Sequence, residues 1–319
     1  MYVMKLRPAG KDSLWGGTRL REQYGKNLDI SPIAETWECS THPDGESLIV
    51  NGEYAGKTLA DIIKMHPEYL GIKFNGMTEL PILVKLIDAK QNLSVQVHPD
   101  DVYAAVHEFQ RGKTEMWYVL EADAEATLVY GFEHKVNPAM LKRAIAGGTL
   151  GKHLHIEKVH KGDVFYMPAG TVHGIGAGVL LAEIQESSNV TYRLYDFDRI
   201  DKNGNKRELH FDKAMDVADM RAFDGKVSQS KLVKYMPNAV TEKLCNCRYF
   251  DVSKLTVLNS FDPGCRHDSF MILLCINGGG LIKTASGEVM FMKGDCMFVP
   301  AGLCGIEIDG RSELLRIVC

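Results

Sequence analysis

The sequence predicts a mainly β protein, built as a sandwich or barrel, on three observations. Short runs rich in Val, Ile, Leu, Tyr and Phe recur between Gly, Pro, Asn and Asp, the pattern of strands and their turns. Helical patterns are few. One stretch also repeats: Gly162-Asp163-Val164-Phe165-Tyr166-Met167-Pro168-Ala169-Gly170 returns as Gly294-Asp295-Cys296-Met297-Phe298-Val299-Pro300-Ala301-Gly302. In each copy Gly-Asp makes a turn, an apolar strand follows and Pro-x-Gly ends it, so the chain holds two copies of one β unit.

Strands are expected at 46–50, 82–88, 116–120, 127–130, 164–167, 179–185 and 191–197, with several more after Tyr249. Helices are expected at 59–66 behind a Thr58 cap, at 99–109 with Pro99 and two Asp in the first turn, and at 138–145 behind Asn137. The polar stretch 224–240 reads as a boundary. It divides a larger unit, 1–235, from a C-terminal β-sandwich, 236–319, in which the repeat is degenerate: Gly305 stands where the first copy has His173.

With 319 residues, 45% of them hydrophobic, a substantial core can form. The net charge of −4 leaves no basic surplus for nucleic-acid phosphates or anionic lipid. The most apolar stretch, 270–282, is broken by Gly278, Gly279 and Gly280 and falls short of the roughly 18 residues a membrane span needs. No long apolar region follows the N-terminal Lys5 and Arg7, so no signal peptide is expected. These features point to a cytoplasmic enzyme or ligand-binding protein with neither nucleic acid nor membrane as partner. Of the eight cysteines, seven lie at or after Cys245, and the one close pair, Cys245-x-Cys247, lacks metal spacing; reduced, mostly buried thiols are expected.

One set of polar residues stands out. Gln96-Val97-His98 puts Gln96 and His98 on one strand face, because side chains alternate with period 2, and Lys113-Thr114-Glu115 does the same for Lys113 and Glu115. His173 lies just past a strand end. One amide oxygen, one carboxylate and two imidazoles make a four-ligand set for a divalent cation, with zinc favoured and manganese, cobalt, iron or nickel admitted. His153-x-His155-x-Glu157 competes as a ligand row, although its more economical reading is a polar, solvated strand face. The residues alone leave that choice open.

Further residues carry a resemblance. Gly162-x5-Pro168-x-Gly170-x2-His173 resembles the second cupin motif. Lys85-Leu-Ile-Asp-Ala-Lys-Gln-Asn-Leu-Ser94-Val-Gln96-Val-His98-Pro99-Asp100-Asp101, then Gly112-Lys113-Thr114-Glu115-Met116-Trp117-Tyr118, resembles the type I phosphomannose isomerases. With Ala34-Glu35-Thr36-Trp37-Glu38 upstream, the order is that of the short bacterial branch. The likeness covers nearly the whole chain and is weakest over the last 80 residues. It departs from the general cupin spacing, since 16 residues separate His98 from Glu115, an insertion typical of the isomerases.

The resemblance implies cupin (jelly-roll) double-stranded β-helix modules, one Zn2+ per chain, and interconversion of mannose 6-phosphate and fructose 6-phosphate in a monomer or homodimer. It assigns the metal to Gln96, His98, Glu115 and His173, and it adds Glu183 and Arg193. An aromatic of some relatives is Ile175 here. Aldose–ketose exchange moves a proton between adjacent carbons through an enediol, and one base on one face does both transfers if the enediol is cis. Lys113, Glu183 and a metal-bound water are the candidate proton carriers, with Lys113 and Arg193 as candidate cations for the developing oxyanion. Lys85 and Ser94 are candidate substrate contacts. The alternative is a non-catalytic cupin that binds or senses a sugar in the same pocket; it would not need Lys113, Glu183 and Arg193 beside four intact ligands.

Overall fold

The computed structural model describes residues 1–200, 204–225 and 232–319. Among them three antiparallel sheets carry the chain. A six-stranded sheet runs in the order Val164–Met167, Glu115–Ala122, Val179–Glu186, Ile82–Ala89, Glu35–Cys39, Ala9–Lys11. A five-stranded sheet runs Tyr192–Tyr195, Val95–Val97, His173–Ile175, Thr127–Phe132, Leu154–Lys158. The third sheet, of ten strands, collects the C-terminal strands from Val233–Met236 to Glu307–Val318 and two short early ones, Met4–Arg7 and Leu48–Ile49.

The six-stranded sheet is the middle layer. Every residue of Ile82–Ala89 is buried, as happens when both faces of a strand are covered. Val84, Leu86, Met116 and Ile184 enter a core shared with Phe270, Ile272, Leu274 and Phe298 of the ten-stranded sheet. Ile87, Trp117, Val119, Val179 and Leu181, offset by one residue and so on the other face, enter a core with Leu128, Tyr130 and Ile175 of the five-stranded sheet. The six- and five-stranded sheets therefore close on each other as the jelly-roll barrel, and the ten-stranded sheet backs it.

Local chemistry follows the sequence closely at the helices. Thr58, Asp100 and Asn137 cap Leu59–Met65, Asp101–His107 and Pro138–Ala146, accepting the backbone N–H of Asp61, Tyr103 and Met140 at 3.0, 2.9 and 3.0 Å. Two further helices, Arg19–Tyr24 and Phe211–Val217, carry no strong local signal; each is under three turns long and depends on tertiary packing. The strand expected at 191–197 ends at Tyr195, because Phe197 and Asp198 adopt φ of 55° and 53°. Within the stretch 224–240, residues 226–231 lie outside the described residues, and the strand Val233–Met236 already belongs to the ten-stranded sheet.

The two repeat copies take equivalent places. Val164–Met167 pairs with the start of Glu115–Ala122, Met167 opposite Glu115. Cys296–Val299 pairs with the start of Met271–Thr284, Val299 opposite Met271. Gly170 and Gly302 close the copies at φ of 89° and 81°, a region that favours glycine. The cysteine expectation needs one correction: Cys265 and Cys304 are exposed and joined as a disulfide, while six thiols are free and five of those buried. The fold brings two loops separated by 39 residues to a Cα–Cα distance of 4.7 Å, within bridging range, and nothing in the local sequence announces it.

Lys26 ties the layers together from a buried position. Its Nζ lies 2.6 Å from Glu38 Oε2 in the six-stranded sheet and donates to the carbonyl of Gly294, in the second repeat's turn. Thr36 Oγ1 donates to the other Glu38 oxygen at 2.6 Å. Removing one partner of a buried pair strands the other charge. Lys26→Met is therefore expected to destabilise the protein by about 3–5 kcal/mol in urea denaturation; a loss below about 1 kcal/mol would mean that Glu38 is satisfied without it.

Candidate metal centre and active site

Barrel closure brings Gln96, His98, Glu115 and His173 together from three strands. His173 is the Cα partner of Gln96, so the two meet across adjacent strands. It opens the strand His173–Ile175 rather than trailing one, a difference that leaves its side chain in the same place. His98, Glu115 and His173 are all buried, and one ligand atom from each lies within 4.8 Å of the others. Glu115 Oε1 is 3.2 Å from His173 Nε2, Glu115 Oε2 is 3.6 Å from His98 Nε2, and the Gln96 amide nitrogen, Nε2, is 3.4 Å from His173 Nε2.

The imidazoles are oriented from behind. His98 Nδ1 donates to the Val190 carbonyl and His173 Nδ1 to the Thr171 carbonyl, each at 2.8 Å. A carbonyl only accepts, so both Nε2 atoms present lone pairs inward, as metal ligands do. His98 Nε2 and both Glu115 oxygens are buried without a hydrogen-bond partner. Buried polar atoms are rarely left so, and a divalent cation bound by this donor set satisfies all of them.

Charge and burial tune the groups against one another. Burial, then the nearby Glu183 carboxylate, pushes Glu115 up to about 8 against the pull of Lys113 and Lys85. Burial holds His173 down at about 4, and burial with Lys113 and His173 nearby holds His98 well below its usual value. Lys113 is lowered by burial and by Lys85. In Glu183 burial works upward, but Lys85, Lys113 and the hydrogen bonds of Lys85 and Trp117 outweigh it and leave the carboxyl below its ordinary value.

Lys113 reaches this point through a tight crossing. A Cβ on Gly112 would sit 2.5 Å from the Asp100 carbonyl carbon, so only glycine lets the chain pass. Gly112 N–H donates to Asp101 Oδ1 at 3.0 Å, and Lys113 N–H to the Pro99 carbonyl at 3.0 Å. Lys113 Nζ then lies 3.6 Å from Glu115 Oε2. Glu183 is held by Lys85 Nζ at 3.0 Å and by Trp117 Nε1, which donates to its Oε2 at 3.0 Å.

A cavity of about 160 Å³ opens beside these groups, and Lys85, Ser94, Gln96, Lys113, Glu183 and Arg193 all line it. Ser94 Oγ also donates to Gln96 Oε1 at 3.3 Å. Ile175 forms an apolar stretch of the wall. Arg193, the cross-strand partner of Gln96, donates through Nη1 to the Glu208 carbonyl at 2.9 Å and keeps a buried, unpartnered Nε. Sequence reasoning missed Glu35, Asn189, Thr191 and Arg207 in the same wall. Glu35 stood within a quoted motif, but Arg207 comes from a polar segment with no period or motif to mark it. The competing row does not gather a site. His155 is bound to Glu133 at 2.9 Å and Glu157 at 3.0 Å, while His153 turns to His134.

Because Glu115 is protonated near neutrality without a cation and the imidazoles are not, cation binding has one proton to displace. Titrating metal-free protein with Zn2+ in weak buffer at pH 7 is expected to release about one proton per ion, and close to none at pH 9.5. Equal release at both values would place the proton elsewhere.

Comparison with known proteins agrees with this geometry. Residues 3–126 match the phosphomannose isomerase type I catalytic domain, and residues 240–319 the mannose-6-phosphate isomerase cupin domain. A mannose-6-phosphate isomerase of Bacillus subtilis is 36% identical over 97% of this chain and 96% of its own. One from Streptococcus mutans is 36% identical over 95% and 93%. The crystal structure of the Bacillus subtilis mannose 6-phosphate isomerase superposes with a TM-score of 0.92 at 34% identity, covering 99% of each chain. On these grounds the chain belongs to the type I phosphomannose isomerases, aldose–ketose isomerases of the cupin fold.

Proposed function

We infer that the chain interconverts mannose 6-phosphate and fructose 6-phosphate through a cis-enediol, with Gln96, His98, Glu115 and His173 holding one Zn2+. The observation that carries the reading is a buried His98–Glu115–His173 cluster next to a cavity whose wall holds Gln96, Lys113, Glu183 and Arg193 together. A sugar-binding module has no use for a lysine of depressed pKa beside its ligand set. Zinc suits a set of two imidazoles, one carboxylate and one amide. When bound, the cation supplies Lewis-acid polarisation of the sugar oxygens at the reacting carbons.

The chain's own residues divide the remaining work. Glu183 has both oxygens engaged, by Lys85 and by Trp117, and is a weak base there. Lys113 has one longer contact, to Glu115, and burial disfavours its charged form. Lys113 is therefore the proton carrier between the two carbons, and Glu183 with Lys85 orients the sugar hydroxyls. Arg193 and Arg207, at the cavity wall, meet the anionic end, and Ser94 adds a hydroxyl contact. Residues 1–235 act as the catalytic unit and 236–319 as its scaffold repeat. A doubly ionised sugar phosphate does not cross a bilayer unaided, which supports a cytoplasmic enzyme working as a monomer or homodimer. No helix among the described residues is long and apolar enough to cross a membrane.

The test is a coupled assay of fructose 6-phosphate formation from mannose 6-phosphate, before and after chelation, with zinc restored. Activity lost to chelator and regained with zinc is expected; an inactive, folded, zinc-loaded protein would favour the binding reading. His98→Ala and His173→Ala are expected to lose tight zinc binding, and His155→Ala to keep it. Full zinc content in His173→Ala would overturn the ligand assignment. Lys113→Arg keeps a charge but no accessible neutral form. It should retain zinc, lose about 10²–10⁴-fold in turnover, and lose the rise of kcat with pH that deprotonation of Lys113 gives the parent enzyme. Arg193→Ala should keep zinc and lose most activity.

A further inference from the structure

The disulfide and its neighbour form a cluster that the isomerase reaction does not use. Cys265, His267 and Cys304 are exposed, and their ligand atoms lie within 4.8 Å of one another. Both sulfurs face the same ring nitrogen: His267 Nε2 is 3.6 Å from Cys265 Sγ and 3.9 Å from Cys304 Sγ. We propose that Cys265, His267 and Cys304 form a second metal site on the C-terminal repeat, which takes a thiophilic divalent cation such as Zn2+ when the Cys265–Cys304 disulfide is reduced.

The geometry carries the proposal. With Zn–S near 2.3 Å and Zn–N near 2.0–2.1 Å, tetrahedral coordination sets S···N at about 3.6 Å and S···S at about 3.8 Å. The two sulfur–nitrogen edges already approach that value. Only the sulfurs, bonded to each other in the oxidised form, have to part. The loops that carry them are fixed by backbone contacts. Gly302 N–H donates to the Arg266 carbonyl at 2.6 Å, Ile72 N–H to the His267 carbonyl at 3.3 Å and Lys73 N–H to the Asp268 carbonyl at 3.1 Å. Asp268 is engaged by Arg266 at 2.6 Å, which leaves two thiolates and one imidazole as the donors. That set prefers zinc or copper to magnesium or calcium, and exposure leaves the fourth position to water.

The repeat gives the cluster a place in the architecture. Gln96-x-His98 precedes the strand that begins at Glu115, as Cys265-x-His267 precedes the strand that begins at Met271. His173 follows the first Pro-Ala-Gly by three residues, and Cys304 follows the second by two. The C-terminal copy has Met271 where the first has Glu115 and Gly305 where it has His173. A different donor set thus stands on the corresponding loops.

The chemistry balances with a dithiol as reductant. The dithiol gives up two electrons and closes to a cyclic disulfide, Cys265 and Cys304 become thiols, and the cation then replaces two protons on the sulfurs. Disulfide and metal-bound dithiolate are mutually exclusive states of the same pair, so occupancy follows the thiol–disulfide poise of the surroundings.

Cobalt reads the site directly, because thiolate-to-cobalt charge transfer in the near ultraviolet cannot arise from Gln96, His98, Glu115 and His173, which hold no sulfur. The full chain is stripped of metal, reduced with dithiothreitol, freed of it anaerobically and titrated with Co2+. A thiolate band saturating by the second equivalent is expected, because the chain then takes one cation at each of its two sites. It should vanish in Cys304→Ser and after oxidation to the disulfide, and persist in His173→Ala. In His267→Gln it should require at least tenfold more Co2+, since even outer-shell changes cost roughly 10-fold or more. No band in the reduced parent chain, or a band that survives Cys304→Ser on other cysteines such as Cys247, would overturn the proposal.

Discussion

The register of four central strands is the constraint on which the rest depends. Glu183 lies opposite Lys85 on one side and opposite Trp117 on the other, and Lys85 in turn lies opposite Trp37. This row crosses the six-stranded sheet on its cavity face. A slip of one residue in any strand would send its members into the apolar core behind, where Val84, Ile184 and Met116 now pack. Burying an unpaired charge there is far more expensive than any contact it would gain. The placing of Lys85 within the apolar run 82–89 and of Glu183 within 179–186 therefore fixes the fold and the position of the reactive groups by the same means.

Electrostatic balance in the cavity explains why its groups tolerate being dry. Among its lysines and carboxylates, Lys85 and Lys113 face Glu35, Glu115 and Glu183, a formal −1 around the ligand cluster, with Arg193 and Arg207 standing farther along the wall. A divalent cation turns that into +1, which suits a phosphorylated ligand. Without the cation, the raised pKa of Glu115 lets a proton stand in for part of the missing charge. Trp37 and Trp117 have a polar duty as well as a packing one. Trp117 is fully buried yet donates to Glu183, and Trp37 lies under Lys85 at 5.2 Å from ring centroid to Nζ.

Much of this was legible because the informative signals are local. The period-2 spacing of Gln96 and His98, the cap residues Thr58 and Asn137, and the Gly-Asp to Pro-Ala-Gly pattern each act within a few residues. Features set by long-range pairing were not. Arg207 enters the cavity wall from a segment without a motif, and the Cys265–Cys304 link joins loops 39 residues apart. Glu186 belongs with these. Its Oε1 accepts from Thr114 N–H at 2.8 Å, and its own N–H donates to the Thr114 carbonyl at 3.0 Å, fixing the residue between Lys113 and Glu115. Nothing in a Glu at the end of a strand declares that task.

The strand Met4–Arg7 lies between Leu48–Ile49 and Cys296–Val299, with Leu6 opposite both Ile49 and Cys296. A ribosome delivers these partners far apart in time. The emerging N-terminal portion must wait with one flank of Met4–Arg7 open, since Cys296–Val299, which covers it, is made long afterwards. An open strand flank is a template for unwanted pairing between neighbouring chains. The placement of so early a strand beside so late a one makes synthesis of the later strand a condition for a closed, non-adhesive sheet, and a polypeptide cut short before Cys296 would present that flank permanently.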